Sequence, residues 1–370
     1  MRYYIVAGER SGDLHGGNLV RALRKEDPSG TFRGFGGEYM QEAGVDIVVH
    51  YSEMAFMGIF ELLGNLGKIS RFIRQCKEDI DRFKPDVVIL IDYGGFNRRI
   101  ARYGRSRNLK VFYYIPPKVW AWYQRRVWEL KANVDRMFVI LPFEKDFYRK
   151  FDWEVDYVGN PVLDAVRAHV PDEQFREREG LAGEKPLVAL LPGSRKQEVQ
   201  RIIPLLEAVV RRHPDYQYAV AAVDNLDPSL YGQLRAMNNV RFVYNKTYDL
   251  LRHAAAAVVT SGTATLETAL FRVPQVVVYK ASSLSYLFAR LVLKVPHISL
   301  VNLIVGREVV RELIQGEANI TETATELESL LHGTRRENVL KGYEELVTLL
   351  DAGDSASENA ARLMVGYLRV

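Results

Sequence analysis

The stretch Val87-Val88-Ile89-Leu90-Ile91-Asp92-Tyr93-Gly94-Gly95-Phe96-Asn97 constrains the fold more than any other in the chain. An unbroken apolar run, mostly β-branched, ends in a carboxylate and two glycines before a helical pattern begins. Such a run reads as a parallel strand buried on both faces, which requires helical crossovers on either side of a sheet. In open α/β sheets ligands bind outside the carboxyl ends of the strands, so Asp92 falls where chemistry is usually done. A carboxylate there either serves as a base or caps the helix that follows.

The same unit recurs along the chain. Residues 3–7 form a first strand that runs into Gly8-Glu9-Arg10-Ser11-Gly12-Asp13 and a helix near 18–25. Its glycine-rich turn offers N–H groups at a positive helix end. The dinucleotide spacing is missing, and Glu9 and Asp13 would repel a pyrophosphate. Glu9, Ser11 and Asp13 are therefore expected to contact sugar hydroxyls, unless the loop is only a tight connection. Strands are predicted at 32–37, 46–49, 110–114 and 136–140, and Leu141-Pro142-Phe143-Glu144 opens another helix. Val158-Gly159-Asn160-Pro161 is the expected hinge. The alternation then restarts, with strands at 187–191, 218–222, 240–243, 257–259 and 273–280, and it ends in helices at 321–331, 335–350 and 355–367, the last capped at Asp354-Ser355.

A chain of 370 residues exceeds what one core serves. The predicted division is 1–160, 161–340 and a helical tail 341–370 that crosses back to the first domain or to a partner. A net charge of +4 is far from the basic stripe of a nucleic-acid binder, so no nucleic-acid partner is expected. A single cysteine excludes an internal disulfide framework. No apolar window reaches membrane-spanning length, so any lipid contact is peripheral. The seven histidines are scattered without metal-ligand spacing.

Several turns carry chemistry. Gly193, Ser194 and Arg195 place small residues and a guanidinium at a helix start, a candidate diphosphate clamp. Ser261, Gly262 and Thr263 let a phosphate approach backbone N–H groups, and Glu267, one turn inside the helix, is placed to accept from both ribose hydroxyls; a simple capped helix is the bland alternative. Asn302, in a loop of apolar neighbours, is either a ligand contact or a turn former. Met54, Phe56, Met57 and Phe60, with basic residues after them, form either a membrane-facing surface or core. Ile115 to Arg126 combines two prolines with Trp120, Trp122, Tyr123 and Arg125, an amphipathic wall suited to an acylated, phosphorylated acceptor or a buried aromatic cluster. Asp79 and Asp81 read as a solvated helix face. Two doubly wound, Rossmann-like halves imply the glycosyltransferase B architecture, with a cleft able to close on a ligand.

Taken in order, Ala7 to Asp13, Met57-Gly58-Ile59-Phe60-Glu61, Asp92 to Asn97, Pro117-Lys118-Val119-Trp120-Ala121-Trp122, Leu141 to Glu144, Leu191 to Arg195, Ser261 to Glu267 and Asn302-Leu303 to Gly306-Arg307-Glu308 resemble the bacterial lipid-A-disaccharide synthase family over nearly the whole chain. The resemblance implies an inverting transferase that joins UDP-2,3-diacylglucosamine to 2,3-diacylglucosamine 1-phosphate. It implies metal-independent transfer at the cytoplasmic face of the Gram-negative inner membrane, with either a monomer or a homodimer compatible. By the same resemblance Asp92 is the catalytic base, Arg195 the essential arginine and Asn302 a donor contact; Asn97, Trp120, Trp122 and Arg125 are expected to contact the acceptor or its sugar. The family usually has proline where this chain has Gly94, which implies a looser turn after the base.

Two rival readings remain on the same architecture. A UDP-N-acetylglucosamine 2-epimerase type would use the donor site without a lipid acceptor. A non-catalytic nucleotide-sugar binding module would leave Asp92 without a task.

Overall fold

The computed structural model describes residues 1–54, 66–181, 183–282, 286–287 and 295–369. Phe56, Met57 and Phe60 lie outside the described residues. The chain divides into two compact units, Met1–Pro161 together with Asp351–Val370, and Val162–Leu350.

The first unit is built on β1 (Arg2–Ala7), β2 (Thr31–Gly36), β3 (Asp46–His50), β4 (Val87–Ile91), β5 (Lys110–Tyr114), β6 (Arg136–Val139) and β7 (Asp156–Tyr157). They lie in the order β3-β2-β1-β4-β5-β6-β7, and every neighbouring pair is parallel. All of β4 is buried, as its apolar run dictates. The strand order reverses between β1 and β4, where Ala7 pairs with Ile91, and this reversal is where a doubly wound sheet opens its ligand crevice.

The second unit repeats the plan with β8 (Leu187–Leu191), β9 (Gln217–Ala222), β10 (Val240–Tyr244), β11 (Ala256–Thr260), β12 (Gln275–Tyr279) and β13 (Glu312–Ile314), ordered β10-β9-β8-β11-β12-β13 and again parallel. Its reversal lies between β8 and β11. The strands β7 and β13, unforeseen in the sequence, are edge strands of two and three residues, too short to show a pattern.

Helices Ile320–Leu331 and Thr334–Leu350 belong to the second unit, so residues 341–350 part company with the rest of the expected tail. The last helix, Ala356–Arg369, returns to the first unit and puts Ala360, Ala361, Met364 and Val365 into one core with Leu19, Val20 and Leu23. Ser355 caps it, its Oγ accepting from Glu358 N at 3.3 Å and donating to the Glu358 carboxylate at 2.9 Å. Asn359 donates to the carbonyls of Val158, Ala352 and Asp354, which ties the returning segment to the expected hinge.

One acid contradicts its expected surroundings. Asp79 is not solvated; it is 3% exposed, takes Arg33 Nε and Nη2 at 2.9 Å each, and accepts the Tyr4 hydroxyl at 3.0 Å. Arg33 on β2 and Tyr4 on β1 reach it across the sheet, partners that helical charge patterning alone does not reveal.

Candidate active site

In the first unit the carboxyl edge at the β1–β4 reversal is built around Asp92. Asp92 and Tyr93 both adopt left-handed backbone, with φ of 46° and 48°, an uncommon conformation for side chains of this size. The turn is held from several sides. Asp92 N donates to the carbonyl of Ile115 at 3.2 Å, and the Asp92 carbonyl accepts from Tyr113 Oη at 2.7 Å and Asn97 Nδ2 at 2.9 Å. The Tyr93 ring takes the space a Cβ at Gly8 would need, so the first glycine turn is shaped to this one. The N-cap position of the helix Gly94–Ser106 is taken by Tyr93, whose side chain makes no cap hydrogen bond, and Asp92 stands one residue before it. Its carboxylate takes the Tyr93 N–H and lies in the field of Lys118, yet burial outweighs both and raises its pKa above the usual carboxylate value. That makes Asp92 a stronger base than a solvated aspartate.

Gly94 explains itself by space. A Cβ there would stand 2.8 Å from Pro117 Cγ, so the proline ring of the neighbouring loop occupies the position and braces a turn expected to be loose.

Around this core, several polar and aromatic residues are buried and spoken for. Asp13 is fully buried and accepts backbone N–H groups of Gly37, Tyr39 and Met40 at 2.7, 3.0 and 3.1 Å; it fastens the turn after β2 and has no face for a sugar. Glu9 and Ser11 are exposed at the same edge. Asn97 is also fully buried and acts on the backbone, reaching Ile91 O at 3.1 Å as well as Asp92 O. Trp120 is buried rather than part of an open wall, donating Nε1–H to Glu144 Oε1 at 3.1 Å and packing edge-on to Phe143. Met54 is 1% exposed, a core residue and not a membrane-facing one. Trp122, Tyr123 and Arg125 do reach solvent, and Arg126 lies over the Trp122 and Tyr123 rings at 5.2 and 4.5 Å.

In the second unit both phosphate-type turns fall at the β8–β11 reversal. Gly193 has φ of 100°, which a side chain would resist, and the turn leads to Arg195 at the start of helix Lys196–Arg212. Glu198 Oε1 holds Arg195 Nη1 at 3.2 Å, yet the arginine side chain stays 83% exposed and so is available to an anion. Across the reversal, a Cβ at Gly262 would meet nothing among the described residues within 4 Å at the start of helix Thr263–Leu270. Ser261 Oγ is engaged, donating to Ile298 O at 2.9 Å. Burial raises the pKa of Glu267, which accepts the Tyr248 hydroxyl at 3.0 Å.

Asn302 is neither loop nor contact. Residues 300–305 form a helix, Leu300–Val305, with Ser299 Oγ capping Asn302 N at 3.2 Å. The Asn302 amide is fully buried: Nδ2 donates to Val310 O and Glu312 Oε1 at 2.8 Å each, and Oδ1 accepts from Val309 N and Val310 N at 2.7 and 3.0 Å. Glu312 also takes Ile298 N and Ser299 N at 2.9 Å, so this network carries the segment to which Ser261 is hydrogen-bonded. Asn302 supports from behind the segment to which Ser261 is bonded.

A family model described as lipid-A-disaccharide synthetase matches residues 3–365. The chain belongs to the lipid-A-disaccharide synthase family. It is a glycosyltransferase of lipid A biosynthesis. Among its relatives, the lipid-A-disaccharide synthase of Syntrophus aciditrophicus is 42% identical, covering 99% of this chain and 97% of its own, and that of Myxococcus xanthus is 39% identical over 98% and 97%. Among solved structures, UDP-GlcNAc 2-epimerase from Neisseria meningitidis bound to UDP-GlcNAc superposes with a TM-score of 0.68 at 12% identity, covering all of both chains. The calicheamicin glycosyltransferase CalG4 gives 0.66 at 15%, covering 100% of this chain and 98% of that one. At such identities the likeness is one of fold, the glycosyltransferase B fold of two Rossmann-like domains.

Glu144 and Tyr248 make side-chain contacts that no sequence motif announces. Glu144 is 2% exposed, with Oε2 accepting Leu141 N at 3.0 Å, and burial pushes its pKa up to about 7. Tyr248 is the hydroxyl on Glu267. Each meets its partner about twenty residues away in sequence, and neither spacing is a motif.

Proposed function

We propose that the chain joins a UDP-linked diacylglucosamine to a diacylglucosamine 1-phosphate, with Asp92 as general base and the turns at Gly193–Arg195 and Ser261–Thr263 holding the donor diphosphate. The observation that carries this reading is the left-handed turn of Asp92 at the β1–β4 reversal, braced by Tyr113 and Asn97, with Asp92 lying just before the N-cap of the helix that follows. Asp92 takes the proton from the acceptor 6-hydroxyl as that oxygen attacks the anomeric carbon opposite UDP, which inverts the configuration in one displacement. The hydroxyl becomes acidic only as the new bond forms, so proton transfer accompanies attack, and a raised base pKa helps it. Charge developing on the departing diphosphate is met by Arg195 and by N–H groups at Gly262 and Thr263, in place of a metal. Glu267 holds the ribose. The acceptor's acyl chains come from a bilayer, and the exposed Trp122, Tyr123 and Trp128 with Arg126 and Lys131 form the aromatic and cationic surface suited to the cytoplasmic membrane face.

The test is Asp92→Asn assayed with synthetic acylated donor and acceptor, with and without chelator. Turnover should fall by about two to four decades while UDP affinity stays unchanged. UDP release should require acceptor and should ignore the chelator. Near-normal turnover in the variant overturns the base assignment, and conversion of donor alone favours an epimerase.

A further inference from the structure

The helix Thr247–His253 leaves the carboxyl end of β10 and crosses to β11, so its first turn lies at the ligand edge of the sheet. Tyr248, in that turn, reaches the helix leaving β11 and donates its hydroxyl to Glu267 Oε1 at 3.0 Å. The ring is gripped from two sides. It packs on Phe271 with centroids 5.0 Å apart, and the His169 ring stands edge-on to it at 5.4 Å. His169 also packs edge-on to Phe271 at 5.9 Å, and its Nε2 pairs with Asp249 Oδ1 at 3.0 Å, while the same Asp249 oxygen takes Asp172 N at 2.9 Å. The phenol is thus locked by contacts separate from its bond to Glu267.

Two oxygens of a carboxylate are needed to accept from the two hydroxyls of a ribose, and a free glutamate rotates about its terminal torsions. A neutral donor fixed on one oxygen sets the plane of the carboxylate and leaves lone pairs on both oxygens facing outward. We infer that Tyr248 is a positioning residue of the nucleotide site, orienting Glu267 for a vicinal diol on the ligand. The inference rests on Glu267 as the ribose acceptor. Tyr248 also favours the charged form of a carboxyl that burial pushes toward neutrality. Behind the phenol stands the His169–Asp249 pair, and Lys246, just before the same helix, is engaged by Glu179 at 2.8 Å.

The experiment uses the full chain and UDP as the probe, titrated by calorimetry from the ordinary carboxyl value of 4.5 upward through neutrality, since burial raises the pKa of Glu267. Tyr248→Phe keeps the ring between Phe271 and His169 and removes only the hydroxyl. UDP affinity should fall about 3- to 10-fold near neutrality, the scale of one hydrogen bond's net worth. With its donor gone, Glu267 takes up a proton at higher pH, so the acid limb of the binding profile should move upward. In a Glu267→Gln background the same change should have no further effect. Unchanged affinity, or an equal loss at every pH accompanied by thermal destabilisation, overturns the inference and marks Tyr248 as packing. A parent chain that binds no UDP instead sinks the donor-site reading on which it rests.

Discussion

Replacing Glu144 by glutamine should make the first unit's stability less sensitive to pH, and the structure sets the size of the effect. Glu144 is buried against Trp120 and Leu141, accepting one N–H on each oxygen, and its pKa is pushed from the ordinary 4.5 to about 7. A carboxyl that holds its proton more tightly folded than unfolded contributes fully below about pH 4.5, and that contribution is lost as pH rises to about 7. At ~1.4 kcal/mol for each tenfold change, the loss across this window is about 3 kcal/mol. The side chain introduced by Glu144→Gln does not titrate, but its amide nitrogen cannot accept, so one of the two N–H groups is left unpaired at a cost of about 1–3 kcal/mol at every pH. The variant should therefore be clearly less stable than the parent near pH 5 and close the gap by about pH 8. Tryptophan fluorescence during urea unfolding is the assay, because all four tryptophans, at 120, 122, 128 and 153, lie in the first unit. Parallel stability curves, with the same gap at both ends of that range, would refute the reasoning.

Two further outcomes follow from the corrected roles. Asn302→Ala strands the N–H groups of Val309 and Val310 and should cost about 3 kcal/mol, lowering the melting temperature of the second unit by roughly 6–12 °C; a loss of donor affinity with stability intact would restore Asn302 as a direct contact. Changing Trp122 and Trp128 together to Ser should reduce cosedimentation with anionic vesicles without altering the melting temperature, since both are about half exposed. An unchanged bound fraction would remove that surface from the membrane reading.

What the sequence reveals here is whatever is local. The apolar runs of β4 and β8 announce buried parallel strands within a few residues, and the turns at Asp92, Gly193 and Gly262 follow from them. Roles decided by distant partners stay hidden. Asp13 looks like an exposed acid at a helix start, but the turn it fastens lies some 24 residues on, brought over it by the pairing of β1 and β2. Asn302 reads as a polar residue stranded among apolar neighbours, and only the return of the chain at Val309–Glu312 fills every one of its hydrogen bonds. Trp120 and Glu144 carry no visible link, since a burial-driven pair leaves no spacing to count. Gly94 reads as a loss of rigidity because the bracing ring, Pro117, belongs to another loop.

The last helix gives the architecture an order of assembly. Residues 162–350 form a compact unit that closes on itself, whereas the first sheet lacks one of its covering helices until Ala356–Arg369 has been made. A ribosome therefore releases the interior segment in a state ready to fold while the earlier segment still lacks the Ala360, Ala361, Met364 and Val365 side chains of its core. Any dissection of the chain into separately expressed halves has to carry residues 351–369 along with 1–161, as a fused or co-expressed piece, or the amino-terminal half will present a greasy stripe to every neighbour it meets.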